Sequence, residues 1–168
     1  TLILREGRIT APALIFPVYC PTDNGKDPRQ TMGIVTLLDY GAGNVRSVRN
    51  AIRALGFDVR DVASPQDILS AEKLVFPGVG AFGSAIGRLQ ADGYFEPLRR
   101  RLLEGKPFVG ICIGLQVLFE GSEESLGATG LGVIRGQVRR FPAGSLAVPH
   151  MGWNGVNVRQ RSAHFDGY

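Results

Sequence analysis

The amino-acid sequence predicts an α/β fold: an open, mostly parallel, doubly wound sheet to which antiparallel strands are appended. From residue 33 onward, short continuous apolar runs alternate with amphipathic helical patterns, as expected for parallel strands that are buried on both faces. Beyond about residue 130, short apolar runs follow one another across Gly and Pro turns without helices between them. This order favours an open parallel sheet followed by antiparallel strands.

Residues that start or stop a helix mark the boundaries of several elements. The first helix carries Val45, Val48 and Ile52 on one face, and Gly56 ends it as a left-handed cap. Pro65 favours the first position of a short helix. The predicted strands are 34–38, 57–62, 73–76, 107–111, 131–134, 138–141 and 156–158, and the predicted helices begin near residues 45, 65, 82, 95 and 113, the last one running through 119.

The first 31 residues differ from the rest of the chain. Prolines at positions 12, 17, 21 and 28 and the polar run 22–27 leave no helical period and only brief apolar stretches. We therefore interpret residues 1–31 as an N-terminal extension or linker and residues 32–168 as one domain, a length that suits a single hydrophobic core.

Composition argues against several classes of partner. The net charge is +4, but the arginines are scattered and form no basic stripe with interleaved aromatics, so we expect no nucleic-acid partner. The longest apolar runs contain prolines and are too short to span a bilayer, so we expect no membrane partner. Two distant cysteines, Cys20 and Cys112, form no disulfide framework and fit a reducing compartment.

Cys112 lies at a predicted strand-to-helix corner, within the run GICIG of residues 110–114. This is the nucleophile-elbow layout with cysteine in place of serine. Gly110 and Gly114 leave room on either side, because larger side chains there would collide with the neighbouring strand and helix. The N–H groups of the following helix favour a thiolate, which attacks amide or ester carbonyls. The alternative is that Cys112 is a small core residue.

A glycine-rich turn, PGVG at residues 77–80, follows the preceding strand. Its consecutive backbone N–H groups are suited to stabilise a developing oxyanion, although a plain strand-to-helix turn explains the same residues. A second glycine turn, at 41–44, lacks the full dinucleotide fingerprint because position 46 is Arg. We expect no cofactor and no metal.

Five motifs together resemble one family. The sequence is similar to class I glutamine amidotransferases, which have a flavodoxin-like fold, and within them to the glutaminase subunit or domain of imidazole glycerol phosphate synthase, an enzyme of histidine biosynthesis. The motifs are DYGAGNV (39–45), FPGVGAF (76–82), GICIGLQ (110–116), FEGSEE (119–124) and PHMGWN (149–154).

The resemblance implies a role for each matching residue, with glutamine as the substrate. Cys112 is the implied nucleophile, with Val79, Gly80 and Ile113 at the oxyanion hole. Gly80, Gln116 and Glu124 are the implied glutamine-binding residues. The implied contacts with a cyclase (β/α)8 barrel, as subunit or fused domain, are Asn44, His150, Met151, Trp153 and Asn154. The implied location is the cytoplasm, or the plastid stroma in a plant or alga.

One family motif has no counterpart in the sequence. The family activates its cysteine with a His-x-Glu motif downstream of PHMGWN, and neither His150 nor His164 stands in such a motif. We interpret the domain as incomplete at the C-terminus. Two alternatives stay open: a non-catalytic module that docks to the cyclase, and another cysteine-elbow protein, such as a DJ-1-like protein or a different amidotransferase.

Overall fold

The structure is a computed structural model, and it describes residues 32–41 and 43–141. The predicted extension 1–31 and the predicted strand 156–158 lie outside these ranges. The described elements are β1 (Ile34–Leu37), α1 (Val45–Ala54), β2 (Asp58–Asp61), α2 (Pro65–Ser70), β3 (Lys73–Gly78), α3 (Phe82–Ala91), α4 (Phe95–Leu103), β4 (Phe108–Cys112), α5 (Ile113–Gln116), β5 (Phe119–Ser122) and β6 (Ile134–Val138).

Four strands form one parallel sheet in the order β2-β1-β3-β4. This order is that of flavodoxin-like sheets, in which the chain winds first to one side of β1 and then to the other. The open parallel sheet that the sequence predicts is confirmed. Ligands of such sheets bind beyond the carboxyl ends of the strands, and β3 and β4 end at this edge with Gly78 and Cys112.

Helices cover both faces of the sheet because its strands carry apolar side chains on both faces. Val35 and Leu37 of β1, with Val75 of β3, form a buried cluster with residues of α1. Leu74 and Phe76, which alternate with Val75 and so point to the other face, belong to a larger cluster with residues of α2, α3, α4 and α5. The doubly wound arrangement follows from this alternation.

Arg101 of α4 is fully buried beneath the second face. Its guanidinium donates hydrogen bonds to the backbone carbonyls of Ile68, Ala71, Glu72 and Pro107, while its Nε has no partner among the described residues. Burial lowers the pKa of this guanidinium below its ordinary value. The side chain therefore ties the carboxyl end of α2 to α4 and to the start of β4.

The strands appended to the sheet differ from the prediction. β5 and β6 pair in parallel, with Phe119 opposite Ile134. The antiparallel pairing expected for the strands beyond residue 130 is therefore wrong for β6, and β5 was not predicted as a strand. Residues 123–133 connect them, and this connection is long enough to carry the chain back to the same end, whereas a hairpin needs only a short turn. Antiparallel pairing occurs there as an isolated bridge between Gly121 and Thr129.

The helix after Cys112 is also shorter than predicted, since α5 ends at Gln116 and Phe119 already begins β5. The carbonyl of Val117 accepts a hydrogen bond from the N–H of Leu131, and the carbonyl of Leu118 accepts from Val133. These long-range backbone bonds replace the ones that a continued helix would make, and they shape the loop beside Cys112.

Candidate active site

Cys112 occupies a strained turn between β4 and α5. Its φ of 58° and ψ of −113° make it the only non-glycine residue with positive φ among residues 32–41 and 43–141. Residues that carry a Cβ rarely adopt this backbone conformation, and those that do are concentrated at functional sites. The turn leaves the thiol free and exposed, which fits the nucleophile elbow that the sequence predicts rather than a core cysteine.

The two glycines that flank Cys112 are sterically required. A Cβ added at Gly110 would lie 2.5 Å from the Gly114 carbonyl oxygen, and a Cβ added at Gly114 would overlap the Phe76 carbonyl oxygen. Both obstacles are backbone atoms, which cannot move aside as a flexible side chain can. The glycines therefore let α5 pack directly against β3 and β4.

The neighbouring strand brings the glycine-rich turn next to this elbow. Gly78 of β3 is the register partner of Cys112 in β4, so residues 79 and 80 leave the sheet immediately beside the thiol. Val79 is 52% exposed, and Gly80 has a φ of 106°, a conformation that glycine adopts without strain. The turn thus presents backbone groups at the edge where Cys112 lies.

A cleft of about 740 Å³ opens at this edge. Five of the predicted site residues line it together: Gly80, Cys112, Ile113, Gln116 and Glu124. Val79 borders Gly80 but does not itself line the cleft. The sequence interpretation missed the remaining lining residues, which are Ser122, Glu123, Val138, Arg139, Arg140 and Phe141.

Those missed residues come from the ends of β5 and β6 and the segments that follow them. Ser122 and Glu123 belong to the FEGSEE motif, in which the sequence interpretation gave a site role to Glu124 alone. Residues 138–141 have no local signal, because only the parallel pairing of these strands brings both carboxyl ends to the cleft. Within the group, the Glu123 carboxylate accepts a hydrogen bond from the Arg140 N–H at 3.1 Å and lies 3.7 Å from the Arg139 side chain.

Glu124 reaches across the cleft edge to the start of α3. Its carboxylate accepts a hydrogen bond from the Phe82 N–H at 3.2 Å, and the neighbouring Ser125 hydroxyl accepts one from the Gly83 N–H at 2.9 Å. The Glu124 side chain is thus held at the start of α3, two residues after Gly80. One N–H occupies only part of its acceptor capacity, since a carboxylate offers about four lone-pair positions.

Tyr40 lies beneath the glycine-rich turn, where the sequence interpretation assigned no functional role. The phenol donates a hydrogen bond to the Val79 carbonyl at 2.7 Å, and its ring packs edge-on against Phe76 with centroids 5.5 Å apart. Burial raises the pKa of Tyr40, the bond to Val79 opposes this rise, and the nearby Cys112 and Asp39 add to it. Tyr40 belongs to the same buried cluster as Leu38 and Phe76, but no local pattern in the sequence predicts its bond to Val79.

The implied cyclase contacts divide between described and undescribed residues. Asn44 is exposed and caps α1, its side chain accepting a hydrogen bond from the Ser47 N–H at 3.3 Å. His150, Met151, Trp153 and Asn154 lie outside the described residues. Across the described ranges, no group of three or more His, Cys, Asp and Glu side chains forms a candidate metal centre.

A family comparison identifies the chain. Residues 36–167 match the model of the class I glutamine amidotransferases. The chain belongs to this family.

Curated relatives narrow the similarity within the amidotransferases. The chain is 54% identical over 134 residues to "Imidazole glycerol phosphate synthase hisHF, chloroplastic" of Arabidopsis thaliana, covering 79% of this chain and 23% of that protein. It is 47% identical over 134 residues to "Imidazole glycerol phosphate synthase subunit HisH" of Methanothermobacter thermautotrophicus, covering 80% and 66%. The chain thus spans about a quarter of the fused relative and about two thirds of the separate subunit.

Solved structures agree on the amidotransferase fold. A glutamine amidotransferase crystal structure superposes with a TM-score of 0.54 at 24% identity, covering 63% of this chain and 56% of the other. A peptidase E-like protein of Listeria monocytogenes gives a TM-score of 0.52 at 13% identity, covering 62% and 64%. At these identities the likeness concerns the fold alone.

Among the described helices, none has the length and apolar character that crossing a bilayer requires.

Proposed function

We propose that this chain is part of the glutaminase domain of an imidazole glycerol phosphate synthase and releases ammonia from L-glutamine through Cys112. The observation that carries the proposal is the strained turn at Cys112, φ 58°, beside the Val79–Gly80 turn. The names of the curated relatives support the choice of this synthase among amidotransferases. In this proposal residues 32–168 belong to the glutaminase domain and residues 1–31 precede it.

The first chemical step is the attack of the Cys112 Sγ on the γ-carbonyl carbon of glutamine. A C–S bond forms, and the carbonyl π electrons move to the oxygen, which becomes an oxyanion. The backbone N–H groups at Ile113 and in the Val79–Gly80 turn are the proposed donors to this oxygen. One such donor typically contributes roughly 3 kcal/mol to lowering the barrier. This contribution requires that the N–H group points at the oxygen on which the negative charge develops.

The second step breaks the C–N bond. The oxyanion electrons re-form the carbonyl, and the leaving nitrogen takes up the proton that the Cys112 thiol gave up and departs as ammonia. Cys112 is left as a γ-glutamyl thioester. Water then attacks the thioester, which releases glutamate and restores the thiol. In the family a histidine of the His-x-Glu motif transfers these protons, and the sequence has no residue in that motif.

Substrate recognition is assigned to polar side chains around the thiol. Glu124 is exposed and keeps free acceptor positions for the α-ammonium group of glutamine. Gln116 lines the cleft one helical turn beyond Cys112 and is the proposed partner of the other polar end of the substrate. Gly80 lines the same cleft and leaves room for the side-chain amide.

The proposed partner is a cyclase (β/α)8 barrel, as a separate subunit or a fused domain, to which the ammonia passes. The proposed contacts are Asn44, His150, Met151, Trp153 and Asn154. The barrel would combine ammonia with a phosphoribulosyl formimino carboxamide intermediate to give imidazole glycerol phosphate and aminoimidazole carboxamide ribotide. The proposed location is the cytoplasm, or the plastid stroma in a plant or alga; the name of the Arabidopsis thaliana relative calls that protein chloroplastic.

A labelling experiment tests the nucleophile and the substrate class together. The protein is incubated with a diazoketone analogue of L-glutamine, and the modified residue is identified by mass spectrometry. We expect one adduct on Cys112, which L-glutamine but not D-glutamine prevents. Cys112→Ala should abolish labelling, and Cys20→Ala, the matched control, should leave it intact.

Three results would contradict the proposal or redirect it. Labelling of Cys20 and Cys112 at equal rates would indicate ordinary thiol reactivity rather than a glutamine site. Labelling of Cys112 without protection by L-glutamine would favour another cysteine-elbow protein. No labelling, combined with binding to a cyclase barrel that Trp153→Ala weakens, would favour a docking module.

A further inference from the structure

We propose that Tyr40 is a positioning residue for the oxyanion site: its hydroxyl holds the Val79 carbonyl and thereby fixes the direction of the Gly80 N–H beside Cys112. This inference rests on the proposed function, because it concerns the step in which Cys112 attacks the substrate carbonyl. It assigns a role to a side chain that is not among the residues lining the cleft.

The first support is that Tyr40 lies directly against this turn. It follows β1, the strand that pairs with β3 in the sheet, and is only 8% exposed. A Cβ added at Gly78 would lie 2.7 Å from Cε1 of the Tyr40 ring and 2.8 Å from its hydroxyl oxygen. Gly78, which is the register partner of Cys112, therefore makes room for the phenol directly below the turn.

The second support is the geometry of the peptide bond. The Val79 carbonyl and the Gly80 N–H belong to one planar trans peptide, so they point in opposite directions. A hydrogen bond of 2.7 Å from the Tyr40 hydroxyl to the Val79 oxygen therefore sets the direction of the Gly80 N–H as well. A residue that fixes the carbonyl end of this peptide positions the donor end.

The third support is that, within residues 32–41 and 43–141, little else restrains this peptide. The Val79 side chain is 52% exposed, and an added Cβ at Gly80 would meet nothing within 4 Å. Glycine at position 80 also permits backbone conformations closed to other residues. Without the phenol, the peptide could rotate and offer its carbonyl to water, so the hydroxyl supplies the order that packing does not.

The state of the phenol suits this role. A tyrosine hydroxyl can donate to a carbonyl only while it is protonated. Burial, the largest effect, raises the pKa of Tyr40 above that of an ordinary phenol. The hydroxyl therefore remains a donor at neutral and mildly alkaline pH.

Acylation by a γ-thioester of L-glutamate tests the inference. The Cys112 thiolate attacks the γ-carbonyl carbon, the new C–S bond forms through an oxyanion, and the leaving thiolate departs with its electron pair without needing a proton. The γ-glutamyl adduct on Cys112 is followed by mass spectrometry, which gives a rate constant at saturation and a half-saturating concentration. Iodoacetamide alkylation of the same thiol, which forms no oxyanion, reports general accessibility.

The informative variant is Tyr40→Phe, which keeps the ring that packs on Phe76 and removes only the hydroxyl. We expect the acylation rate constant to fall roughly ten-fold, which is the effect of losing about one hydrogen bond. The half-saturating concentration and the rate of iodoacetamide alkylation should not change. Tyr94→Phe, at the start of α4 and outside the cleft lining, is the matched control and should match the unaltered protein. The ¹H–¹⁵N signal of the Gly80 amide should shift in Tyr40→Phe and not in Tyr94→Phe.

The outcomes separate this inference from the proposed function. Normal acylation of the unaltered protein with an equal or higher rate in Tyr40→Phe would overturn the positioning role alone. A parallel fall of the acylation and iodoacetamide rates would also overturn it, because it would show a general disturbance of Cys112. Absence of acylation in the unaltered protein, with the thiol still open to iodoacetamide, would overturn the proposed function and this inference with it.

Discussion

The carboxylate of Glu124 accepts a hydrogen bond from the backbone N–H of Phe82, 42 residues earlier in the chain, at 3.2 Å. Phe82 is the first residue of α3, and its N-cap residue, Ala81, has no side chain that can cap the helix. The first N–H groups of a helix need an external partner. The loop after β5 supplies two, through Glu124 and Ser125, and so joins the proposed glutamine site to the helix that follows Gly80.

Ser125→Ala should destabilise the protein by about 1 kcal/mol, because it removes a cap hydrogen bond from the Gly83 N–H. Chemical denaturation measures the change in the free energy of unfolding. Ser84→Ala, at an exposed position inside the same helix, is the control and should change stability by less than about 0.5 kcal/mol. Equal effects at both positions would show that the loop does not cap α3.

The glycines of the elbow and of α3 should respond in opposite ways to alanine. Gly114→Ala places a Cβ on the Phe76 carbonyl oxygen and should destabilise by several kcal/mol, roughly the upper end of single-substitution effects. Gly87→Ala meets nothing within 4 Å in α3 and should stabilise by about 0.5–1 kcal/mol, since alanine favours the helix. Thermal melting distinguishes the two; a tolerated Gly114→Ala would contradict the close packing of α5 on β3.

The sequence predicted the elements that local patterns determine. Apolar runs and helix caps located β1, β3, β4 and the first four helices to within a few residues, because burial on both faces and capping are encoded within each segment. Cys112 could be singled out because a strained turn needs glycines close on either side in sequence.

What the sequence could not predict depends on pairing across long distances. The parallel pairing of β5 and β6 and the early end of α5 arise from backbone bonds such as that from Leu131 to Val117, and no local pattern encodes these. The same reason hides Arg139 and the contact between Tyr40 and Val79.

Replacing Arg101 should be costly even where the new side chain keeps the charge. Arg101→Lys retains one cation but loses the planar set of donors that reaches four carbonyls, and buried unpaired acceptors are expensive. We expect a loss of about 3 kcal/mol or more in the free energy of unfolding. Arg100→Lys on the exposed side of the same helix, where the side chain pairs with Glu104, should change it by less than about 1 kcal/mol. Similar losses at both positions would contradict the tie between α2 and β4.

The acid stability of the protein should depend on Asp67, whose carboxylate accepts hydrogen bonds from the Ser64 hydroxyl and from the N–H groups of Ser64 and Ala63. The bond from the Ser64 side chain is the main cause that lowers the pKa of Asp67. Since the folded state then binds fewer protons than the unfolded one, the contribution is complete above the unfolded pKa, ~4, and is lost as pH falls through the folded pKa.

Asp67→Asn should therefore flatten the fall of the urea midpoint below about pH 4. Ser64→Ala, which removes one donor and leaves the carboxylate, should flatten it partly. An unchanged slope in both variants would show that this capping box does not contribute to the acid limb of the stability curve.

The strain at Cys112 should make this proposed nucleophile a cost to stability. Glycine adopts a φ of 58° and a ψ of −113° freely, whereas any residue with a Cβ is strained there. Cys112→Gly should therefore stabilise the protein by roughly 1 kcal/mol. Cys112→Ser keeps the Cβ and should leave stability within about 0.5 kcal/mol of the original. Because the thiol is exposed, loss of its packing offsets little of the gain. Urea unfolding of the two variants side by side measures the difference. Equal free energies of unfolding would mean that the turn is unstrained, and the proposal that position 112 holds a nucleophile in a strained conformation would lose its support.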